Sequence, residues 1–271
     1  MNLPARFSEL SPVQDYAGLD DRPVSNTAAP WWVAAYGEDA VSLGPRVTAD
    51  LGVRLTYRPE RATVYAEPRA AVRYDREGGP LGPWSARTAV GLYRQFVNEF
   101  DLSKLNAGAL LPAVRVWLPL DGSVRPPLAY HAAQSFLVSP RPGLSLRAEA
   151  YAKFQPHGLA VRYQSADTAG ARGPIFEQAQ FFTGTRGHAL GGAVSVEWKG
   201  RHGRLSALYE YSRAVFRSPD LFGGRTQTVP WNAPHHVELS ALWTPLRALT
   251  LTARWQGVWG RAWGFRQAYY D

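Results

Sequence analysis

Apolar and polar residues alternate strictly along many segments of the chain. Between Val47 and Tyr57 every odd position is apolar, while the even positions hold Thr, Asp, Gly, Arg and Thr. A period of two places alternate side chains on opposite faces of a β-strand, so this segment predicts a strand with one apolar and one polar face. The same clear pattern recurs in 144–154, 190–198, 237–243 and 249–259.

Weaker alternation extends the prediction to about ten strands. The additional candidates are 31–42, 64–75, 84–97, 128–138 and 204–216. No segment has a convincing helical period, although 99–111 comes nearest. The strands are expected to be roughly ten to thirteen residues long, whereas soluble strands average about 5–6 residues and membrane-spanning strands need about 9–11. The predicted fold class is all-β, an antiparallel meander of long strands belonging to an outer-membrane transporter-type β-barrel.

The connections between these strands alternate in length. Short turns are predicted at 44–45, 78–83, 139–143, 200–203 and 244–248, and long connections at 98–127, 156–186 and 217–234. The link at 58–63 is short where the alternation requires a long one. Short turns at one edge and long loops at the other are typical of outer-membrane barrels.

The two predicted faces differ in charge, and the aromatic residues collect near strand ends. The polar face carries side chains of both positive and negative charge: Asp50, Arg54, Arg69, Arg73, Arg87, Arg147, Glu149, Lys153, Glu197, Glu210, Glu238 and Arg254. Trp198 and Trp243 precede short turns, and Trp84 follows one. Because Trp and Tyr favour the membrane–water interface, this placement indicates one aromatic girdle at the turn edge.

Composition narrows the function classes further. The 271 residues contain no Cys, which excludes a disulfide scaffold, a thiolate zinc site and a thiol nucleophile. The N-terminus shows no signal-peptide pattern, and no apolar run approaches the length of a membrane helix. The net charge of +8 comes mostly from arginines mixed with acids on one strand face. That mixture lacks the basic stripe of a nucleic-acid-binding protein, so we expect no nucleic-acid partner.

Several segments resemble the barrel portion of TonB-dependent outer-membrane receptors. They are the hairpin from Pro234 to Trp255, Ser123 to Pro127, Leu144 to Phe154 with its Arg-x-Glu-x-Tyr-x-Lys face, Val64 to Arg69, and Tyr93 to Val97. The similarity covers 31–271, a partial β-barrel, and 1–30 are expected to form an irregular N-terminal loop segment.

The resemblance implies a bacterial outer-membrane location and energised uptake of a scarce nutrient, such as a siderophore, a vitamin or a glycan. Barrels of this family have about 22 strands around a plugged lumen. With about ten strands and no visible plug domain, the chain is expected to be a truncated piece that is inactive alone. Its expected partners are outer-membrane lipid, lipopolysaccharide, and the missing plug and barrel strands, with TonB reached only through the plug.

No catalytic or metal-binding constellation emerges from the sequence. The histidines are scattered, and the adjacent His235 and His236 would point to opposite faces of a strand. We therefore expect no enzymatic activity, no cofactor and no metal. The long loops carry the candidate ligand contacts, because Arg and aromatic side chains can grip an anionic chelate or a sugar. These candidates are Arg115, Trp117, Arg125, Arg162, Arg172, Phe222, Arg225 and Trp231.

Two alternatives from other classes remain open. One is a soluble or secreted β-sandwich module that binds carbohydrate on exposed Trp side chains. The other is a small outer-membrane enzyme or adhesin, for which Ser195 or Ser240 on the polar face could act as a nucleophile, since triads need not be local in sequence.

Overall fold

A computed structural model of the chain describes residues 31–101, 115–161, 182–229, 232–246 and 248–261. Thirteen strands lie in these ranges. In chain order they are β1 (Val33–Gly44), β2 (Val47–Arg58), β3 (Thr63–Arg76), β4 (Trp84–Arg94), β5 (Val97–Asp101), β6 (Arg115–Pro119), β7 (Leu128–Arg141), β8 (Leu144–Val161), β9 (Phe182–Gly200), β10 (Gly203–Arg217), β11 (Gln227–Thr228), β12 (His235–Leu246) and β13 (Leu249–Trp259).

Ten long strands form one antiparallel meander in the order β1-β2-β3-β4-β7-β8-β9-β10-β12-β13. The short β11 pairs with β10, and β5 and β6 form a separate hairpin. The prediction of an all-β meander of about ten long strands is therefore confirmed. Within the described ranges β1 and β13 do not pair with each other, so the sheet is open and is not closed into a barrel.

The strand register confirms the predicted division into two faces, because directly opposed residues point to the same side of a sheet. One face carries, strand by strand, Leu51, Val72, Val90, Ala132, Ala148, Val194, Tyr209, Val237 and Trp255. The other carries Asp50, Arg69, Arg87, His131, Glu149, Ser195, Glu210, His236 and Arg254. We call these the apolar face and the polar face.

The connections follow the predicted alternation, with corrected limits. Tight turns join β1 to β2, β7 to β8 and β9 to β10, and the β7–β8 turn uses Gly143 at φ +79°, a backbone conformation that favours glycine. The predicted loop 98–127 was wrong in part, because it contains β5 and β6, and 217–234 contains β11. Their five- and two-residue strands are too short to produce a readable period. The loop 156–186 is also shorter than predicted, because β8 runs to Val161 and β9 begins at Phe182.

The described sheet is a single layer with both faces largely uncovered. Exposed large hydrophobic side chains far outnumber buried ones. A small cluster of buried apolar residues, Leu120, Val124 and Phe182, lies at the edge with the long connections. The main sheet therefore lacks a conventional core over the part of the chain that the structure describes.

No helix among the described residues is long and apolar enough to cross a membrane.

Candidate functional site

Charged side chains on the polar face pair across strands. Arg69 on β3 reaches over Gly52 on β2 to the carboxylate of Glu38 on β1. A Cβ atom at Gly52 would lie 3.0 Å from the Arg69 Nε, so the glycine leaves room for this crossing. Further cross-strand pairs are Arg87–Asp50 at 3.1 Å, Arg254–Glu238 at 2.8 Å and Arg204–Glu197, and Lys199 pairs at 2.8 Å with Glu197 on its own strand. Most of these groups are about half exposed, so the pairs organise a hydrated surface and add little stability individually.

A three-residue hydrogen-bonded chain crosses the polar face at β10, β12 and β13. The Glu210 Oε2 lies 2.8 Å from the His236 Nδ1, and the His236 Nε2 lies 2.8 Å from the Gln256 Nε2. This geometry fits a neutral imidazole that donates from Nδ1 to Glu210 and accepts from the Gln256 amide. His235, the preceding residue, contacts Tyr209 and Trp259 on the apolar face. The predicted opposite placement of the two histidines is confirmed.

The two serines considered as nucleophiles have different surroundings. The Ser240 Oγ lies 2.6 Å from the Ser206 Oγ on the neighbouring strand. Ser195 lies on the polar face opposite Arg147 and Leu208. The catalytic arrangement of a serine next to a histidine and a carboxylate is therefore not assembled at Ser240. The described residues also contain no group of three or more His, Asp or Glu side chains that could hold a metal ion.

A buried arginine anchors the connection that follows β6. Arg58, at the end of β2, is 3% exposed and donates from Nη2 to the Leu120 carbonyl oxygen at 2.5 Å. Its guanidinium also lies 5.3 Å from the Trp32 ring centroid and 5.7 Å from that of Phe96. Arg61 adds a 2.7 Å hydrogen bond from Nη1 to the Val124 carbonyl oxygen. The turn between β2 and β3 thus holds one side of residues 118–127, which we call the strap.

The other side of the strap packs on the extended ends of β8 and β9. Leu120 and Val124 contact Phe182, with Leu159 and Val161 beside them. Nearby, the Thr183 hydroxyl donates to the Asp220 Oδ2 at 2.5 Å and fixes the turn after β10 to the start of β9. The long connections therefore fold onto the strand ends.

The structure describes the side chains of four of the eight residues predicted to contact a ligand. Trp117 on β6 and Phe222 in the turn after β10 are each 62% exposed, and Arg125 in the strap and Arg225 are also exposed. Phe222 packs edge-on against Phe216 with 6.2 Å between ring centroids. Arg115 begins β6, and its side chain lies outside the described residues, as do Arg162, Arg172 and Trp231. All four described side chains lie at the edge with the long connections, and no described contact joins them into one site.

Aromatic side chains form two belts on the apolar face. The belt beside the tight turns contains Tyr74, Trp84, Phe136, Trp198 and Trp243, in which the Trp84 ring makes tilted contacts with Tyr74 at 5.1 Å and Phe136 at 5.5 Å between centroids. The belt beside the long connections contains Tyr130, Phe154, Tyr211, His235 and Trp259, in which His235 and Trp259 stack at 5.5 Å. The sequence predicted only the first of these belts.

A groove crosses the apolar face between the belts. It runs across the strands from β1 to β9 between two rows of side chains, and its volume is about 1230 Å³. One row ends with Phe154 and His188, and the other ends with Ala152 and Leu190. The strand register staggers steadily, so the groove lies near the tight turns on β2 and nearer the long connections on β9.

Beyond the groove, three arginines point outward on the apolar face. Arg213 lies opposite Leu190, and Arg217 lies directly opposite Arg186 on β9. All three side chains are exposed. Sequence reasoning missed this cluster because it assigned Arg186 to a loop. The available signal was the alternation along β10. Arg213 and Arg217 are an even number of residues from Tyr209 and Tyr211, so all four side chains lie on the same face.

A scan against protein-family models found no match to this chain, and a search of curated protein sequences found none either.

Proposed function

We propose that this chain forms part of the wall of an outer-membrane β-barrel that serves as a receptor and transporter of the TonB-dependent type, taking up a scarce nutrient. The observation that carries the proposal is the uncovered apolar face of a single-layer sheet of ten long strands. In water such a surface would be strongly unfavourable, because exposed apolar patches on soluble proteins rarely exceed a few hundred Å². Lipid is the environment in which this face is stable.

The distance between the two aromatic belts fits a membrane of ordinary thickness. On β12 His235 and Trp243 are separated by eight residues, or about 26 Å along the strand. Strands tilted by about 35–45° would then span roughly 20 Å, close to the apolar band of about 25 Å found in outer-membrane barrels. The staggered register is the geometry that tilts strands in a closed barrel.

The polar face fits the wall of a wide, wet lumen. Its cross-strand ion pairs and the Glu210–His236–Gln256 chain satisfy charged groups without burying them in hydrocarbon. A barrel of only ten strands would have a narrow interior, so further strands are needed to surround these side chains. The long connections, with Trp117, Arg125, Phe222 and Arg225, would face the outside and contact the nutrient.

The described residues do not favour the β-sandwich alternative. A sandwich needs a second sheet packed on the apolar face, and the only other sheet among them is the five-residue β5–β6 hairpin. The strap and hairpin lie at the strand ends, not across the face.

Cysteine labelling tests the membrane placement directly, because the chain has no native Cys. We would fold the chain in vesicles of brominated phosphatidylcholine and label Leu239→Cys on the apolar face or its neighbour Ser240→Cys on the polar face with a fluorophore. Quenching by bromine is expected at position 239 and not at 240. Equal quenching at both positions, or a chain that is monomeric without detergent, would refute the proposal.

Transport requires a cellular assay. Uptake of an iron-loaded siderophore, a cobalamin and an oligosaccharide would be compared in cells with and without the gene for this chain. Loss of uptake of one class supports a receptor role and identifies its cargo. Unchanged uptake of all three would contradict the nutrient proposal while leaving the membrane placement intact.

A further inference from the structure

The arginines on the apolar face present an electrostatic problem. Arg186 and Arg217 are direct cross-strand neighbours, and like charges in that position repel. Arg217 donates from Nε to the Gly224 carbonyl oxygen at 2.6 Å, which leaves its charge unneutralised. No ion pair forms at Arg186, Arg213 or Arg217 within the described ranges, although arginines on the polar face are paired with acids. An external anion would relieve this repulsion.

The position of the cluster identifies the type of anion. Along β10, Arg213 and Arg217 follow the aromatic side chains of Tyr209 and Tyr211 towards the long connections. If the belts mark the two interfaces, the arginines lie at the level of the lipid headgroups. Arginine binds phosphate well because its planar fork of donors matches the phosphate oxygens.

The groove leads directly to this cluster. Its two walls end on β9 at His188 and Leu190, and the next strand continues them with Val215 and Arg213. An acyl chain lying in the groove would therefore bring its headgroup to Arg213. The Arg186–Arg217 pair lies four residues further along β10, or about 13 Å away, and forms a second positive centre.

We infer that the apolar face carries a site for a phosphorylated, multiply acylated lipid of the outer leaflet. Its acyl chains occupy the groove, and two phosphates contact Arg213 and the Arg186–Arg217 pair. This inference rests on the proposed membrane function, because the groove must face hydrocarbon. It goes further by assigning one lipid class to one position on the barrel surface.

The test uses the full chain folded in phosphatidylcholine vesicles that contain increasing mole fractions of bis-phosphorylated lipid A. Chains are extracted in mild detergent, and the retained lipid is counted by mass spectrometry. The variant Arg186→Gln/Arg213→Gln/Arg217→Gln should raise the half-saturating mole fraction about 100-fold, if each arginine contributes as basic residues near anionic headgroups do. The matched control removes three exposed arginines beside the tight turns, Arg76→Gln/Arg141→Gln/Arg201→Gln, and should retain the lipid as the unchanged chain does.

Two comparison probes separate the possible results. Dephosphorylated lipid A should be retained weakly by every variant. Inorganic phosphate should compete poorly, because it lacks the acyl chains; complete competition at equal concentration would mean a site for free anions and would overturn the lipid assignment. Equal retention by the arginine variant and its control would also overturn it. Absence of bromine quenching at position 239 in vesicles that hold the folded chain would instead refute the proposed membrane function, and this inference with it.

Discussion

An arginine placed at the centre of the apolar face should destabilise the folded chain in a depth-dependent way. Leu239 on β12 lies midway between His235 and Trp243, about 13 Å along the strand from each belt. If the belts mark the two interfaces, this position is the bilayer midplane, where Arg costs about 2–4 kcal/mol. Leu251 lies directly opposite Trp243 in the belt beside the tight turns, where the same change costs about 0–1 kcal/mol.

These two leucines are well matched, because both lie on the apolar face and both are 46% exposed. A third variant, Leu208→Arg, makes the same chemical change on the polar face. Leu208 faces Glu238 on the neighbouring strand, so an arginine there gains an acidic neighbour and should cost little. Position on the sheet is the main structural difference among the three variants.

The assay is urea unfolding of the chain in phosphatidylcholine vesicles, followed by Trp fluorescence. Leu239→Arg should lower the unfolding midpoint strongly, Leu251→Arg slightly, and Leu208→Arg hardly at all. Equal losses for Leu239→Arg and Leu251→Arg would show that depth between the belts has no effect, as expected if protein covers the apolar face. A large loss for Leu208→Arg would refute the division into an apolar and a polar face.

Three further predictions follow from individual contacts. Arg58→Met should leave the buried Leu120 carbonyl oxygen without its donor, at a cost of about 1–3 kcal/mol, and should speed amide hydrogen exchange in the strap while the exchange of β12 and β13 stays unchanged. Thr88→Val should lower the urea midpoint in vesicles by stranding Gln134, its hydrogen-bond partner on the apolar face, whereas Thr88→Val/Gln134→Leu should recover it. Gly187→Val should cost about 1–3 kcal/mol in the same unfolding assay, because the new Cβ atom would lie 2.7 Å from the Val215 backbone carbonyl oxygen; a midpoint equal to that of the unchanged chain would contradict the overlap.

The sequence was sufficient to predict the ten long strands and the two faces, because a period of two is a local property of each segment. It placed Asp50 and Arg254 on the polar face, and the register puts them there. Tight turns and long connections could be separated for the same reason. The resemblance to TonB-dependent receptors rests on those loose strand patterns and stays a prediction.

Contacts between distant segments could not be predicted. Arg58 and Leu120 are 62 residues apart, and their hydrogen bond depends on how the strap folds back across the strand ends. Glu210 and His236 are 26 residues apart, and a shift of one residue in the pairing of β10 with β12 would place them on opposite faces. Neither connection length nor composition specifies such a register.

The register of β8 and β9 also determines which side chains of β9 lie on the apolar face. Tyr151 lies opposite Gly191, and its ring fills the position of the missing Cβ atom, so a slip of two residues, which keeps the two faces, would place Ala189 or Ala193 against the ring. Filling a glycine gap with an aromatic ring is a known way to fix strand pairing. This contact fixes β9 against β8, and the separate, regular pairing of β9 with β10 from Arg186 to Gly200 places Arg186 opposite Arg217. The polar-face contact between Tyr151 and Gly191 thus helps to keep Arg186 on the opposite, apolar face, where the pairing with β10 brings it to Arg217.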